Sequence, residues 1–290
     1  MKILWISPRW PHPENTGARK ATMSILNCLN EEGNALSQQQ TFKGQFSFDL
    51  IAVKNYYVNE DSENVVLQLT KPRRHLFVEK KMGFFNFNGL IGKACDLIKY
   101  KCLNMFLPMT IAKYYERSLR SEIARWSLTE TWDYTILDGL HAAALIDVYD
   151  SRYGKLVYRA HNVETDLWVQ MARDAKNPLA KIILKIESLL FAKYERSVAN
   201  LCKLVFTVSN LDSDRFRSFL QLNKSMKNIE SKNIFHELKE KIFSLPIGFP
   251  VRKKVMPTVI CGVERGTGDH LNLLFVGSLD WLPNQQGLRW

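Results

Sequence analysis

Short apolar runs alternate along most of this chain with longer stretches of helical period, and any fold it adopts must accommodate that alternation. Ile3–Ile6, Asp49–Val53, Val65–Leu69, Tyr134–Leu137, Leu156–Arg159, Leu204–Val208 and Leu271–Val276 read as strands. Between them, Thr16 can cap a helix whose apolar positions Ala21, Ile25, Cys28 and Leu29 follow helical spacing, with Gly33 as its stop. Further helices are expected from His141, from Glu164, and over Ala180–Asn200, where Ile182, Ile183, Ile186, Leu189, Leu190 and Val198 form the expected buried face. An apolar strand with no polar alternation needs cover on both faces, so the pattern points to an α/β protein with a Rossmann-like open parallel sheet. Ligands of such sheets bind just outside the carboxyl ends of the strands. Ser7–Gly17, Asp138–His141, His161–Glu164, Ser209–Asp212 and Gly277-Ser278 follow strands and are the segments where chemistry is expected.

Composition narrows the function classes. Lys and Arg total 40 against 29 Asp and Glu, a net charge of +11, which favours polyanionic neighbours such as nucleic acid, anionic lipid or phosphorylated substrates. A hydrophobic share of 46% excludes a disordered chain. The five cysteines (Cys28, Cys95, Cys102, Cys202, Cys261) are odd in number and form no CxxC pair, which argues against a disulfide framework or a zinc site and suits a reducing cytoplasm. No stretch approaches the roughly 20 apolar residues of a spanning helix. Lys71–Trp126 is both basic and aromatic, reads as two helices separated near Pro108, and suits shallow contact with an anionic membrane surface. Gln221–Glu240 is polar and Lys-rich, a surface helix or loop.

Among single residues, Gly17 stands where the first loop meets a helix N-terminus, whose unpaired amides suit an anion or a hydroxyl. Its alternative role is only to let the loop turn. A GxGxxG fingerprint is missing, so a nicotinamide enzyme is not expected. His161 follows a strand and precedes a helix with Glu164 and Asp166 in its first turn, a place for an acid/base or a polar contact to a sugar hydroxyl or phosphate. A lone histidine there is more often structural, and His141, in a similar position one strand earlier, is the second choice. Glu187 and Glu195 have an E-x7-E spacing, but Lys185, Lys193 and Arg196 at salt-bridge distance along the same helix make a solvated face the expectation.

Seven landmarks occur in order: Lys2–Pro8 with Gly17; Trp132–Ala144; Tyr158–Glu164; Tyr194-Glu195-Arg196; Phe206–Asp212; Leu245–Gly248; and Leu274–Leu279. In that order and spacing the chain resembles the family-4 retaining glycosyltransferases of GT-B fold. The resemblance implies transfer of a sugar from a nucleotide-sugar donor to a saccharide or lipid-linked acceptor in polysaccharide or glycolipid synthesis, with no metal at the centre and no cofactor. It implies an acceptor-side domain over 1–248, a linker over 249–270, and the first strand of a donor domain within 271–290. His161 would be the catalytic-centre histidine, Gly17, His141, Asn162 and Glu164 would face the acceptor, and Ser209, Gly277 and Ser278 would face the donor. Ser278 and Asn284 stand where the family carries a diphosphate-holding Arg and Lys. With most of the donor domain not in these 290 residues, the expectation is that this chain alone transfers no sugar. The rival expectation is a non-catalytic basic module for anionic membrane or nucleic acid. Against nucleic acid, the cations are scattered and no RRM, KH or helix-turn-helix signature is present.

Overall fold

A computed structural model of the chain describes residues 1–38, 46–54, 58–79, 107–225, 238 and 240–246. The chain separates into two compact units, Met1–Pro250 and Val251–Trp290. The second unit lies outside the described residues, and with it the expected strand Leu271–Val276, Gly277 and Ser278.

Seven strands form one sheet: β1 (Lys2–Ser7), β2 (Ser47–Lys54), β3 (Arg74–Glu79), β4 (Tyr134–Asp138), β5 (Lys155–Ala160), β6 (Leu204–Thr207) and β7 (Ile242–Ser244). Their order is β3-β2-β1-β4-β5-β6-β7, and every neighbouring pair is parallel. This is the expected Rossmann-like sheet. Seven α-helices are described: α1 (Gly17–Gln38), α2 (Glu60–Thr70), α3 (Met109–Ala112), α4 (Arg117–Trp126), α5 (Glu164–Asp174), α6 (Pro178–Leu201) and α7 (Asn210–Ser225). Two faces of the sheet are filled from alternate positions of the central strand. Ile3 and Trp5 pack with Met23, Leu26 and Val66 on one side, while Leu4 and Ile6 pack with Ile123, Leu137 and Phe191 on the other. Double cover is why β1 and β2 read as unbroken apolar runs.

Several expectations are corrected. Val65–Leu69 is not a strand but the middle of α2, where Asn59 caps the amide of Ser62 and Glu60, Asp61 and Glu63 stand in the first turn. Only Ser62, Val66 and Thr70 of that helix are buried, a single stripe at four-residue spacing. The third strand lies just beyond it, at Arg74–Glu79 in the basic stretch. Gly33 does not end α1, which runs to Gln38; it lies against Phe46, whose ring an added Cβ would meet at 2.1 Å. The helix expected from His141 is a single 3-10 turn, Leu140–Ala144. On α6, Val198 is buried as expected, but Ile182, Ile183, Ile186 and Leu189 are exposed. Its buried face is instead Glu187, Ser188, Phe191, Glu195, Val198 and Ala199. The polar Gln221–Glu240 stretch begins within α7, and most of it lies outside the described residues, as does 80–106 of the basic, aromatic region.

The amino end of the sheet is held by charge. Asp49, fully buried on β2, accepts from Arg73 Nε at 2.9 Å, from Arg73 Nη2 at 2.5 Å and from Trp132 Nε1 at 2.9 Å. Glu130 beside them takes Lys2, Arg73 and Arg74, whose hydrogen bonds hold its carboxyl down at about 2. Two of the cations of the expected membrane-facing region, Arg73 and Arg74, are therefore engaged in ion pairs. Breaking a buried pair from the solvated side strands the buried charge, so Arg73→Met should destabilise the protein at least as much as Asp49→Ala, by about 3–5 kcal/mol. Urea unfolding of the two variants checks this, with the more exposed partner expected to be the costlier loss.

Candidate functional site

The strand order turns between β1 and β4, and a small cleft, about 60 Å³, opens there at the carboxyl end of the sheet. Its walls come from Ser7, Pro8, Arg9 and Pro11 after β1, Ala18, Arg19 and Thr22 of α1, Asp138, Gly139 and His141 after β4, and His161, Asn162 and Glu164 after β5. A switch point of this kind is where open α/β sheets leave room for a ligand, because the loops on either side diverge.

At its floor lies Asp138, buried with four donors on its carboxylate. Oδ2 receives Thr22 Oγ1 at 2.7 Å and faces Ser7 Oγ at 3.2 Å; Oδ1 receives Arg159 Nη1 at 2.5 Å and lies 2.9 Å from His161 Nε2. Burial alone would push this carboxyl up. The charge and hydrogen bond of His161, the Arg159 guanidinium and the Thr22 hydroxyl outweigh it and hold the group well below the usual carboxylate range. Asp138 is thus a fixed negative charge. Whenever the imidazole is neutral, the bond to Oδ1 places its one proton on Nε2 and leaves Nδ1 as its acceptor. In that tautomer the 3.2 Å approach of Arg159 Nη1 to Nε2 joins two donors and is no hydrogen bond; both share Asp138. Gly139 makes room for the ring. Its φ is +96°, and an added Cβ would stand 3.3 Å from His161 Cδ2.

Two buried glutamates of α6 position the loops that carry the histidines. Glu195 accepts from the amides of Glu164 and Thr165 at 3.0 and 2.9 Å, from Thr165 Oγ1 at 2.6 Å and from Tyr158 Oη at 3.2 Å. A carboxylate therefore caps the helix that starts three residues after His161. Glu187 accepts from the amide of Met109 at 2.8 Å, and the next residue, Thr110, places Oγ1 3.2 Å from His141 Nε2. The expectation that these glutamates form a solvated face is overturned: both are buried. The lysines at matching spacing, Lys185 and Lys193, stay on the surface. Sequence spacing cannot tell the two cases apart, because a helix presents both faces at every turn.

Of the expected site residues, the cleft brings together His161, His141, Asn162 and Glu164. Glu164 is partly exposed; burial raises its carboxyl above the ordinary value, against the pull of Arg9 and His161. Gly17 opens α1 but does not line the cleft, and an added Cβ there would meet nothing within 4 Å. Ser209 caps α7, its Oγ accepting from the Asp212 amide at 3.1 Å and donating to the Asp212 carboxylate at 2.7 Å, away from the cleft walls. Asp138, Arg159, Thr22 and Ser7 were not singled out as site residues, although Asp138 stood in a segment marked by its place after a strand. A charged pair inside otherwise apolar strand ends was the available signal. Among the described residues no group of three or more His, Cys, Asp or Glu could hold a metal ion. With an imidazole, a fixed carboxylate, a half-buried acid, an amide and the guanidiniums of Arg9 and Arg19, the cleft offers alternating donors and acceptors, the chemistry that suits a hydroxyl-rich or phosphorylated ligand.

No family model matches the chain. Over 291 residues it is 22% identical to an uncharacterized 44.6 kDa protein in the cps region of Klebsiella pneumoniae, an alignment covering 100% of this chain and 59% of that protein. The chain thus spans about 59% of the length of the curated relative it matches.

Burial pushes Glu195 up to about 7 against the opposing hydrogen bonds of Thr165 and the Glu164 amide. Between its ordinary value of 4.5 and about 7 the native protein holds a proton that the unfolded chain has lost. The contribution is complete below about pH 4.5 and is lost as pH rises through 7, with a slope of at most about 1.4 kcal/mol per pH unit. Glu195→Gln cannot ionise, so urea unfolding at a series of pH values should show the wild type losing stability relative to the variant across that window. Parallel pH profiles would refute the assignment.

Proposed function

We propose that this chain supplies the acceptor-side domain of a retaining, nucleotide-sugar-dependent glycosyltransferase of GT-B type, acting in synthesis of capsule-class polysaccharide or glycolipid. The observation that carries the reading is the switch-point cleft lined by His161, whose Nε2 is held 2.9 Å from Asp138 Oδ1. The relative's place in a cps region supports the same assignment, as does the order of the sequence landmarks. In this reading residues 1–248 form the acceptor-side domain, 249–270 a linker, and 271–290 open the donor domain, with Gly277 and Ser278 near the donor phosphates.

The acceptor, a saccharide or lipid-linked saccharide, lies against His161, His141, Asn162 and Glu164. His161 Nδ1 accepts from the attacking hydroxyl and orients it, while Arg9 and Arg19 bring positive charge toward the diphosphate that departs. Stabilising that leaving group is the larger contribution to the rate. Asp138 keeps the imidazole in one tautomer and one orientation.

The test joins this chain to the donor domain of a GT-B transferase and follows radiolabelled sugar from nucleotide-sugar donors into saccharide and lipid-linked acceptors. Transfer is expected from the joined protein and not from the 290 residues alone. His161→Ala should lower turnover by on the order of 10²-fold or more with the melting temperature shifted by no more than a degree or two. Transfer that survives His161→Ala in a folded protein, or a chain that binds no acceptor, would refute the reading.

A further inference from the structure

Helix α6 exposes an aliphatic stripe that no neighbour covers among the described residues. Leu179, Ile182, Ile183, Ile186 and Leu189 are 44–67% exposed. At about 100° per residue they fall in an arc of about 120°, directly opposite the arc of Glu187, Ser188, Phe191, Glu195, Val198 and Ala199 that faces the core. The surroundings of the stripe are cationic: Lys176, Lys181, Lys185 and Lys193 are exposed, and across 173–194 the one exposed acid is Asp174. Both glutamates of α6 are turned inward. What remains outside is apolar and positive.

The direction of the helix places this stripe. Cys202 follows α6, and the Lys203 amide donates to Leu156 O near the start of β5, so α6 runs toward the amino end of the sheet. Helix α5 packs antiparallel to it, with Glu195 level with Glu164 and Thr165, and Trp168 stacked on Phe191 at 4.7 Å. Everything on α6 before Glu195 therefore lies toward the carboxyl end of the strands, with Leu179 about 24 Å back along the helix axis. That is the end of the sheet where the cleft opens, and α5 begins at Glu164 in the cleft wall.

We propose that this overhanging helical hairpin is a membrane-contact surface, its aliphatic stripe entering the headgroup boundary of an anionic bilayer while its lysines meet the lipid phosphates. Charge complementarity selects the occupant: a helix with a strong apolar face, flanking lysines and no outward acid on it has the make-up of an interfacial helix. The surface stands without the sugar-transfer reading. Its corollary, that the acceptor is lipid-linked and enters the cleft from the bilayer, rests on that reading.

The experiment is co-sedimentation of the 290-residue chain with vesicles of equal parts phosphatidylglycerol and phosphatidylcholine, against pure phosphatidylcholine. Binding is expected to the anionic vesicles alone and to weaken at least about tenfold at about 0.5 M salt, where screening shortens to roughly 4 Å. Ile182→Asp with Ile186→Asp should weaken it by a similar factor while the melting temperature holds, and Lys181→Glu with Lys185→Glu should do likewise. A separate reporter, Ile183→Trp, should emit as a solvated indole in buffer and shift to the blue on anionic vesicles. No vesicle binding, or equal binding to neutral vesicles, overturns the proposal. A blue-shifted indole in buffer, or aspartate variants that melt several degrees lower, would show the stripe covered by another segment of this chain. Aspartate variants that abolish self-association of the wild type would show a second copy there. Either result overturns the membrane assignment, and none of these readouts depends on sugar transfer.

Discussion

A carboxylate without access to solvent, Asp138, is bonded at once from β1, α1, β5 and the loop beyond β5. Burying a charge is tolerable only when it is paired and its lone pairs are satisfied, and here four donors do so. The consequence is geometric as well as energetic. Ser7, Thr22, Arg159 and His161 can meet one acidic group only if β1, β4 and β5 end at the same level and α1 starts beside them. The parallel register supplies that arrangement, with Ile6 beside Leu137 and Asp138 beside Arg159. The cleft is what is left above the network once its members are in place.

The opposite end of the sheet carries a second charged network with a different character. Asp49, Arg73 and Glu130 fasten β2, the start of β3 and the segment before β4, but they open onto no pocket among the described residues that also holds a histidine. A buried ion pair is by itself weak support for function, since structural networks shift carboxylates just as catalytic ones do. What separates the two ends is where the remaining polar atoms point. At Asp138 one partner, His161, also lines the cleft; at Asp49 both Trp132 and Arg73 spend their contacts on the carboxylates.

The sheet and most of its strands were legible in the sequence because double cover leaves strands uninterrupted in apolar residues, and that signal is local. His161 and His141 were legible for a related reason: their positions follow directly from strand ends. Val65–Leu69 misled because a β-branched run looks like a strand until its cap and its first-turn acids are weighed. The Asp138 network was not legible as a whole because two of its members, Ser7 and Thr22, stand more than a hundred residues from Asp138. Which face of α6 is buried was also out of reach. An isoleucine-rich stripe and a glutamate-containing stripe compete for the core, and the hydrophobic scale alone favours the wrong one.

That inversion on α6 has a single physical origin. The glutamates face inward, where they accept from amides at the starts of α5 and α3 that would otherwise lack a partner away from water. Glu195 and Glu187 meet that demand at the starts of the two segments that support His161 and His141. Once they face the core, helical geometry sends Ile182, Ile183 and Ile186 outward. The same choice of face that orders the cleft therefore creates the apolar, lysine-flanked surface above it. The inward face of α6 anchors segments that support the proposed acceptor site, and its outward face forms the proposed membrane contact.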